Sequence, residues 1–203
     1  MYKLFASLLF IIIGLSGLGQ SDLNRYAFKD YQNVKVIDNG DSLINAWSGG
    51  MNYSQFNTFD LNNDNDDDLL IFDRTGNRLM PFLVDINNGT KRYKFAPQYV
   101  DSFPKIIGWM LLVDYDCDGR KDLFCSVSGG IGVYQNNGGL DFQWALPGRN
   151  LSTDYGQGPK QNLYVSSLDI PAIVDVDGDG DLDIFTFGQG NTVQHHKGQV
   201  NCG

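Results

Sequence analysis

The chain contains no glutamate; all 24 of its acidic residues are aspartate. It has only two histidines, His195 and His196, three cysteines and six prolines. Adjacent histidines on a strand point to opposite faces, so they cannot readily share one ion. Cys117, Cys125 and Cys202 show no zinc-type spacing and are too few for a disulfide framework, although a single Cys117–Cys125 bridge is open to them. No Gly-x-Ser-x-Gly, phosphate-binding loop or dinucleotide fingerprint occurs. These absences argue against an enzyme. Basic residues are scattered except at Lys91-Arg92-Tyr93-Lys94, and the net charge of −9 argues against nucleic acid as a partner. The basic cluster reads as a solvated strand edge.

Aspartate is present in excess and in order. Asp175-Val-Asp-Gly-Asp-Gly-Asp-Leu-Asp183 places carboxylates at every second position, where they repel one another unless a cation sits among them. The frame recurs upstream as Asp60-Leu-Asn-Asn-Asp-Asn-Asp-Asp-Asp68 and Asp114-Tyr-Asp-Cys-Asp-Gly-Arg-Lys-Asp122. Positions 1, 3, 5 and 9 are Asp60, Asn62, Asp64 and Asp68; Asp114, Asp116, Asp118 and Asp122; and Asp175, Asp177, Asp179 and Asp183. The backbone carbonyl of position 7 can add a ligand whatever its side chain, which is Asp66, Arg120 or Asp181. Oxygen-only ligands on short loops favour Ca²⁺ over Mg²⁺ or Zn²⁺, giving about three expected sites. Position 6 must turn sharply with positive φ, which suits Gly119 and Gly180 and is tolerated by Asn65.

An EF-hand does not fit. Its loop needs a bidentate Glu at position 12 and flanking helices, whereas position 12 here is Ile71, Cys125 or Thr186 and short apolar runs follow position 9. Nor do the loops read as an ordinary acidic surface: they hold 14 of the 24 Asp but two of the 15 bases, leaving 10 acids and 13 bases elsewhere. Charge counting ranks the third loop tightest. The first carries neutral Asn62 and lacks Gly at position 6, and the second has Arg120 and Lys121 beside its site.

Residues 4–18 form an apolar run after Lys3, too short to favour a bilayer span and followed by small and polar residues. This reads as a signal peptide over 1–20, with Gly17 and Gly19 before the cut, and implies a secreted or outer-surface protein without stable membrane insertion afterwards. Residues 21–50 form an N-terminal segment with a strand at Val34–Ile37 and a turn at Asp38–Asp41. Residues 51–203 divide into three units, about 51–100, 101–160 and 161–203.

Each unit reads as strand, Asp loop, strand, Gly or Asn turn, strand. The strands are expected to end at Phe59 and then span 69–72, 78–84 and 93–95 in the first unit; 110–113, 123–127, 131–134 and 140–145 in the second; and 172–174, 184–187 and 192–196 in the third. Residues 155–161 form a loop excursion. Successive loops begin 54 and 61 residues apart, a period found in solenoids and propellers. The fold class is all-β, with propeller-like antiparallel blades, about two and a half to three of them, and negligible helix. Trp47, Trp109 and Trp144 are expected in blade cores rather than on a sugar-stacking platform.

The motif Asp-x-Asp/Asn-x-Asp-Gly-x-x-Asp-Leu/Ile, entered from Phe59, Val113 or Val174, resembles the FG-GAP/VCBS repeat of integrin-α-type β-propellers. Phrases such as Phe72-Asp-Arg-Thr-Gly-Asn77 are similar to secreted bacterial VCBS-repeat proteins of the type IX kind. That resemblance implies a Ca²⁺-binding scaffold for adhesion or for an unknown protein or glycan ligand, with no catalysis of its own. The alternative is the propeller part of a polysaccharide lyase or glycosidase. Relatives of this kind have more blades, so the chain reads as a fragment.

Overall fold

The computed structural model describes residues 34–198 apart from 147, 149, 157 and 189–191. The expected signal peptide, residues 21–33, the turn at 189–191 and Cys202 lie outside the described residues. Among those described, no helix is long and apolar enough to cross a membrane.

The fold is all-β. A two-residue hairpin, β1 (Ile37–Asp38) with β2 (Asp41–Ser42), precedes three antiparallel meanders. The first is β3 (Ser54–Phe59), β4 (Asp68–Asp73), β5 (Arg78–Asn87) and β6 (Thr90–Phe95). The second is β7 (Met110–Val113), β8 (Asp122–Val127), β9 (Gly130–Asn136) and β10 (Phe142–Trp144). A small hairpin, β11 (Ser152–Thr153) with β12 (Gln161–Asn162), follows. The third meander is β13 (Ala172–Val174), β14 (Asp183–Phe187) and β15 (Val193–His196). Every strand pairs with its neighbour in sequence, and each Asp loop joins the first two strands of a meander, with Phe59 opposite Asp68, Val113 opposite Asp122 and Val174 opposite Asp183.

The apolar runs after the loops lack alternation because both faces of these strands are covered. On β4, Leu70 and Phe72 face the second meander and pack with Met110, Leu123 and Cys125, while Ile71 turns the other way to Met80 and Phe82. On β8, Leu123 and Cys125 point back to the first meander and Phe124 points on toward Ile131, Val133 and Ile184. Full burial of such a side chain contributes about 1.5–3 kcal/mol relative to exposure, enough to hold successive sheets face to face. Counted from the last Asp of the loop, residues two and four further on face the following blade on β4, and on β8 residues one and three further on face the preceding blade while the residue two further on faces the next. On β14 the same count turns Phe187 forward, where it is 60% exposed, against 1% for its counterpart Phe72.

Polar side chains tie the first two blades together at their inner strands. The amide hydrogens of Met110 and Leu112 donate to the side-chain oxygens of Gln55 and Asn57. Arg74, in the turn between β4 and β5, donates to the carbonyls of Gly108 (2.7 Å) and Leu168 (2.8 Å), the segments leading into the second and third blades.

Several expected elements shift. The strand read at 34–37 reduces to Ile37–Asp38, closed by Asn39 and Gly40 with φ of 49° and 91°. The strand read from 140 begins only at Phe142, since Leu140 has φ 68° and cannot lie in a strand. Pro97–Ser102 forms a 3-10 turn with Pro in its first positions, and the excursion at 155–161 lies in the β11–β12 hairpin. Trp109 is fully buried, Trp144 stacks on Tyr134 at 3.8 Å between ring centroids, and Trp47 is half exposed, so core packing describes Trp109 but not Trp47. The Cys117–Cys125 bridge is not formed, because Cys125 is a buried free thiol. Lys91, Arg92 and Lys94 are exposed on β6, the edge strand of its sheet.

Candidate metal-binding loops

The three loops share one backbone path despite their different residues. The position 1 carboxylate accepts the N–H of position 6 in all three: Asn65 to Asp60 (2.9 Å), Gly119 to Asp114 (2.9 Å) and Gly180 to Asp175 (3.0 Å). The position 5 carboxylate accepts the N–H of position 7: Asp66 to Asp64, Arg120 to Asp118 and Asp181 to Asp179. Position 6 has the expected positive φ: 67° at Asn65, 84° at Gly119 and 91° at Gly180. Position 4 is left-handed too, at Asn63 (59°), Cys117 (64°) and Gly178 (76°), a second turn the sequence did not announce.

Position 9 does something further. Asp68, Asp122 and Asp183 are buried, and each grips two backbone amides. One oxygen accepts the N–H of position 2: Leu61 (3.0 Å), Tyr115 (2.7 Å) or Val176 (3.3 Å). The other accepts an amide at the far end of the next hairpin: Val84 (2.7 Å), Asn136 (2.7 Å) or Gly198 (3.1 Å). One side chain thus staples the loop to the strand beyond it.

Burial is the largest influence on Asp68 and Asp122 and pushes both above the usual carboxylate range, although the two amides on each oppose it. At Asp183 burial again pushes up most, but the Gly198 amide, His195 and the Val176 amide together outweigh it and the net shift is down. His195 Nε2 lies 3.3 Å from Asp183 Oδ1 and its ring stacks on Phe185. His196 turns to the other face, between the hydroxyls of Thr153 (3.1 Å) and Thr186 (3.2 Å).

The structure brings Asp114, Asp116 and Asp122 together, and likewise Asp175, Asp177 and Asp183: in each group one oxygen per residue lies within 4.8 Å of the others. In the first loop Asn62 occupies position 3, and its side-chain amide donates to Asp64 at 2.7 Å. The donor sets fit a hard divalent cation. Asp114 Oδ1, Asp116 Oδ1 and Asp181 Oδ1 are buried without a hydrogen-bond donor, and an orphaned carboxylate oxygen is costly unless a cation satisfies it. The second loop is more enclosed at position 3, where Asp116 is half-buried and Asn62 and Asp177 are exposed; position 1 is half-buried and position 5 exposed in all three.

Basic groups also reach these loops. The Arg120 guanidinium pairs with Asp118 and donates through Nε to the Asn136 carbonyl. Lys121 turns away to the Thr58 carbonyl and to Asp67 of the first loop. Lys197 Nζ lies 2.6 Å from Asp177 Oδ2 and 2.9 Å from Asp179 Oδ2. Asp177 and then Asp179 hold the ammonium charged well above the usual lysine range, and Lys197 in turn lowers Asp179.

Residues 114–186 match the family model described as FG-GAP-like repeat. The matched span opens on the second Asp loop and closes on β14, and the first blade repeats its geometry outside that span. No curated protein and no solved structure matches the chain.

Proposed function

We propose that this chain is a secreted or cell-surface Ca²⁺-binding repeat scaffold that presents its blades for adhesion or for binding a protein or glycan, without catalysis of its own. The observation that carries the reading is the loop geometry repeated three times with buried carboxylate oxygens left without donors in the second and third copies. Asp114, Asp116, Asp118 and Asp122, Asp175, Asp177, Asp179 and Asp183, and Asp60, Asn62, Asp64 and Asp68 would hold the ions, with the backbone carbonyl of position 7. A bound divalent cation supplies charge neutralisation and a cross-link between oxygens that otherwise repel. Position 9 holds each loop in place through its two amides, so the ligand oxygens stay converged while the blades on either side carry the load of packing. The apolar leader over residues 4–18 supports export, and extracellular fluid offers the calcium that sites of this class need. A non-catalytic role is supported by the use of the clustered carboxylates as loop ligands and amide acceptors.

Calorimetric titration of chelator-stripped protein with Ca²⁺ and Mg²⁺, together with thermal melts, tests the reading. Dissociation constants for extracellular modules are about 10⁻⁴ to 10⁻³ M, so 10⁻² M Ca²⁺ should stabilise each filled site by about 1.4–2.7 kcal/mol. Mg²⁺, which demands a stricter octahedron, should do so poorly. Absence of both binding heat and a melting shift with Ca²⁺ overturns the proposal.

A further inference from the structure

The three loops are alike in their own residues but differ in what faces them from the next hairpin. The amide gripped by position 9 belongs to Val84, Asn136 or Gly198, and the residue just before it is Leu83, Gln135 or Lys197. In the second and third loops that preceding residue reaches position 3. In the second loop the Gln135 side-chain amide donates to Asp116; in the third, the Lys197 ammonium reaches Asp177 and bridges to Asp179. In the first loop the equivalent Leu83 has no donor to offer, and Asn62 turns to Asp64 instead.

At the third loop the chain beyond the gripped amide passes close to the loop backbone. A Cβ on Gly198 would fall 2.6 Å from the Leu182 carbonyl and 2.9 Å from Asp181 Cβ, so no other residue fits there without displacement. This close contact seats Lys197 against the carboxylates rather than leaving it to find them from solution.

We infer that the residue before the stapled amide sets each loop's ion affinity, and that Lys197 is a tethered cation that competes with Ca²⁺ for Asp177 and Asp179. This rests on the Ca²⁺ reading above. The ammonium satisfies the carboxylates of positions 3 and 5, which a metal ion needs, and it must leave before the ion can enter. Its positive charge then remains on a short tether nearby. Lys197 spans two carboxylates of the third loop, whereas in the second Arg120 pairs with one, Asp118, and a neutral amide stands over Asp116, so the third loop, first by its own charge, becomes harder to fill than the second. The Lys197 side chain is more than half exposed, so the displaced ammonium can move into solvent without unfolding anything.

The test is a Ca²⁺ titration of the full chain followed by two-dimensional amide NMR, with Gly180 reporting on the third loop and Gly119 on the second. In the wild type the Gly119 signal should reach its midpoint at lower Ca²⁺ than the Gly180 signal. Lys197→Met, which keeps the length of the side chain and removes its charge, should lower the Gly180 midpoint about five- to tenfold and leave Gly119 in place. Lys197→Gln should make the third loop resemble the second. Gln135→Lys should raise the Gly119 midpoint by a similar factor. An unchanged Gly180 midpoint in both Lys197 variants overturns the inference while leaving Ca²⁺ binding intact. If neither glycine responds to Ca²⁺ in any of the proteins, the Ca²⁺ reading itself falls, and the inference with it.

Discussion

Replacing Asp122 by alanine should unfold the protein more readily even when no metal is available to it. The Asp122 side chain is fully buried and accepts the Tyr115 and Asn136 amides at 2.7 Å each. Alanine leaves two buried N–H donors without acceptors, at about 1–3 kcal/mol apiece, so the expected loss is about 2–6 kcal/mol. That is a large share of the roughly 5–15 kcal/mol that holds a typical domain folded. Asp122→Asn keeps an acceptor oxygen for one amide and removes a carboxylate that burial already disfavours in its charged form, so it should cost about half as much. Asp116→Ala is the control: among the described residues its side chain accepts only from Gln135, and in EDTA it should cost less than about 1 kcal/mol. Urea denaturation in EDTA and again in Ca²⁺ separates the two roles. Asp122→Ala should be weak in both, and Asp116→Ala should fall behind the wild type mainly in Ca²⁺. Equal stability of the two variants in EDTA would show that position 9 is no staple.

Gly130→Ala should lower the melting temperature, since its Cβ would lie 2.4 Å from the backbone carbonyl oxygen of Leu163 and neither segment can yield cheaply; overpacking of this kind costs about 1–3 kcal/mol, and an unshifted melt would contradict it. Acid stability should depend on Asp73, which accepts the Asn52, Tyr53 and Thr75 amides. Burial pushes its pKa up most, but the three amides and the Thr75 side chain together bring it below the ordinary value of 3.8. Its contribution is therefore present above that value and lost as pH falls through the lowered pKa. In metal-free protein, Asp73→Asn should flatten the decline in urea midpoint below about pH 4, and parallel declines in the two proteins would refute this.

The meander order was legible because each Asp loop marks the hairpin between a blade's first two strands, and the turns at Asn39-Gly40 and Asn88-Gly89 carry residues suited to positive φ. Position 6 of the loops could be read for the same reason. Position 4 could not, because Asn63, Cys117 and Gly178 share the left-handed geometry but no residue type. Asp68, Asp122 and Asp183 were read as ligands alone: their stapling partners are backbone amides, which leave no mark in a sequence. Lys197 carries no local signal of its role, because it lies a whole hairpin beyond the loop it reaches. Trp47 carries the same aromatic signal as Trp109, and only the packing of neighbouring blades separates the exposed ring from the buried one.

Pairing that never leaves a meander has a consequence for how this chain comes into being. Each sheet can zip up from strands already emerged, with no need to wait for a distant partner, which favours rapid, vectorial folding as the polypeptide is extruded. The newest blade then always carries a bare forward side until its successor arrives to cover it. Phe187 sits on such a side in the third blade. The Asp183 grip on Gly198 clasps the hairpin of β14 and β15 onto its loop, so this last described blade closes without waiting for any later strand.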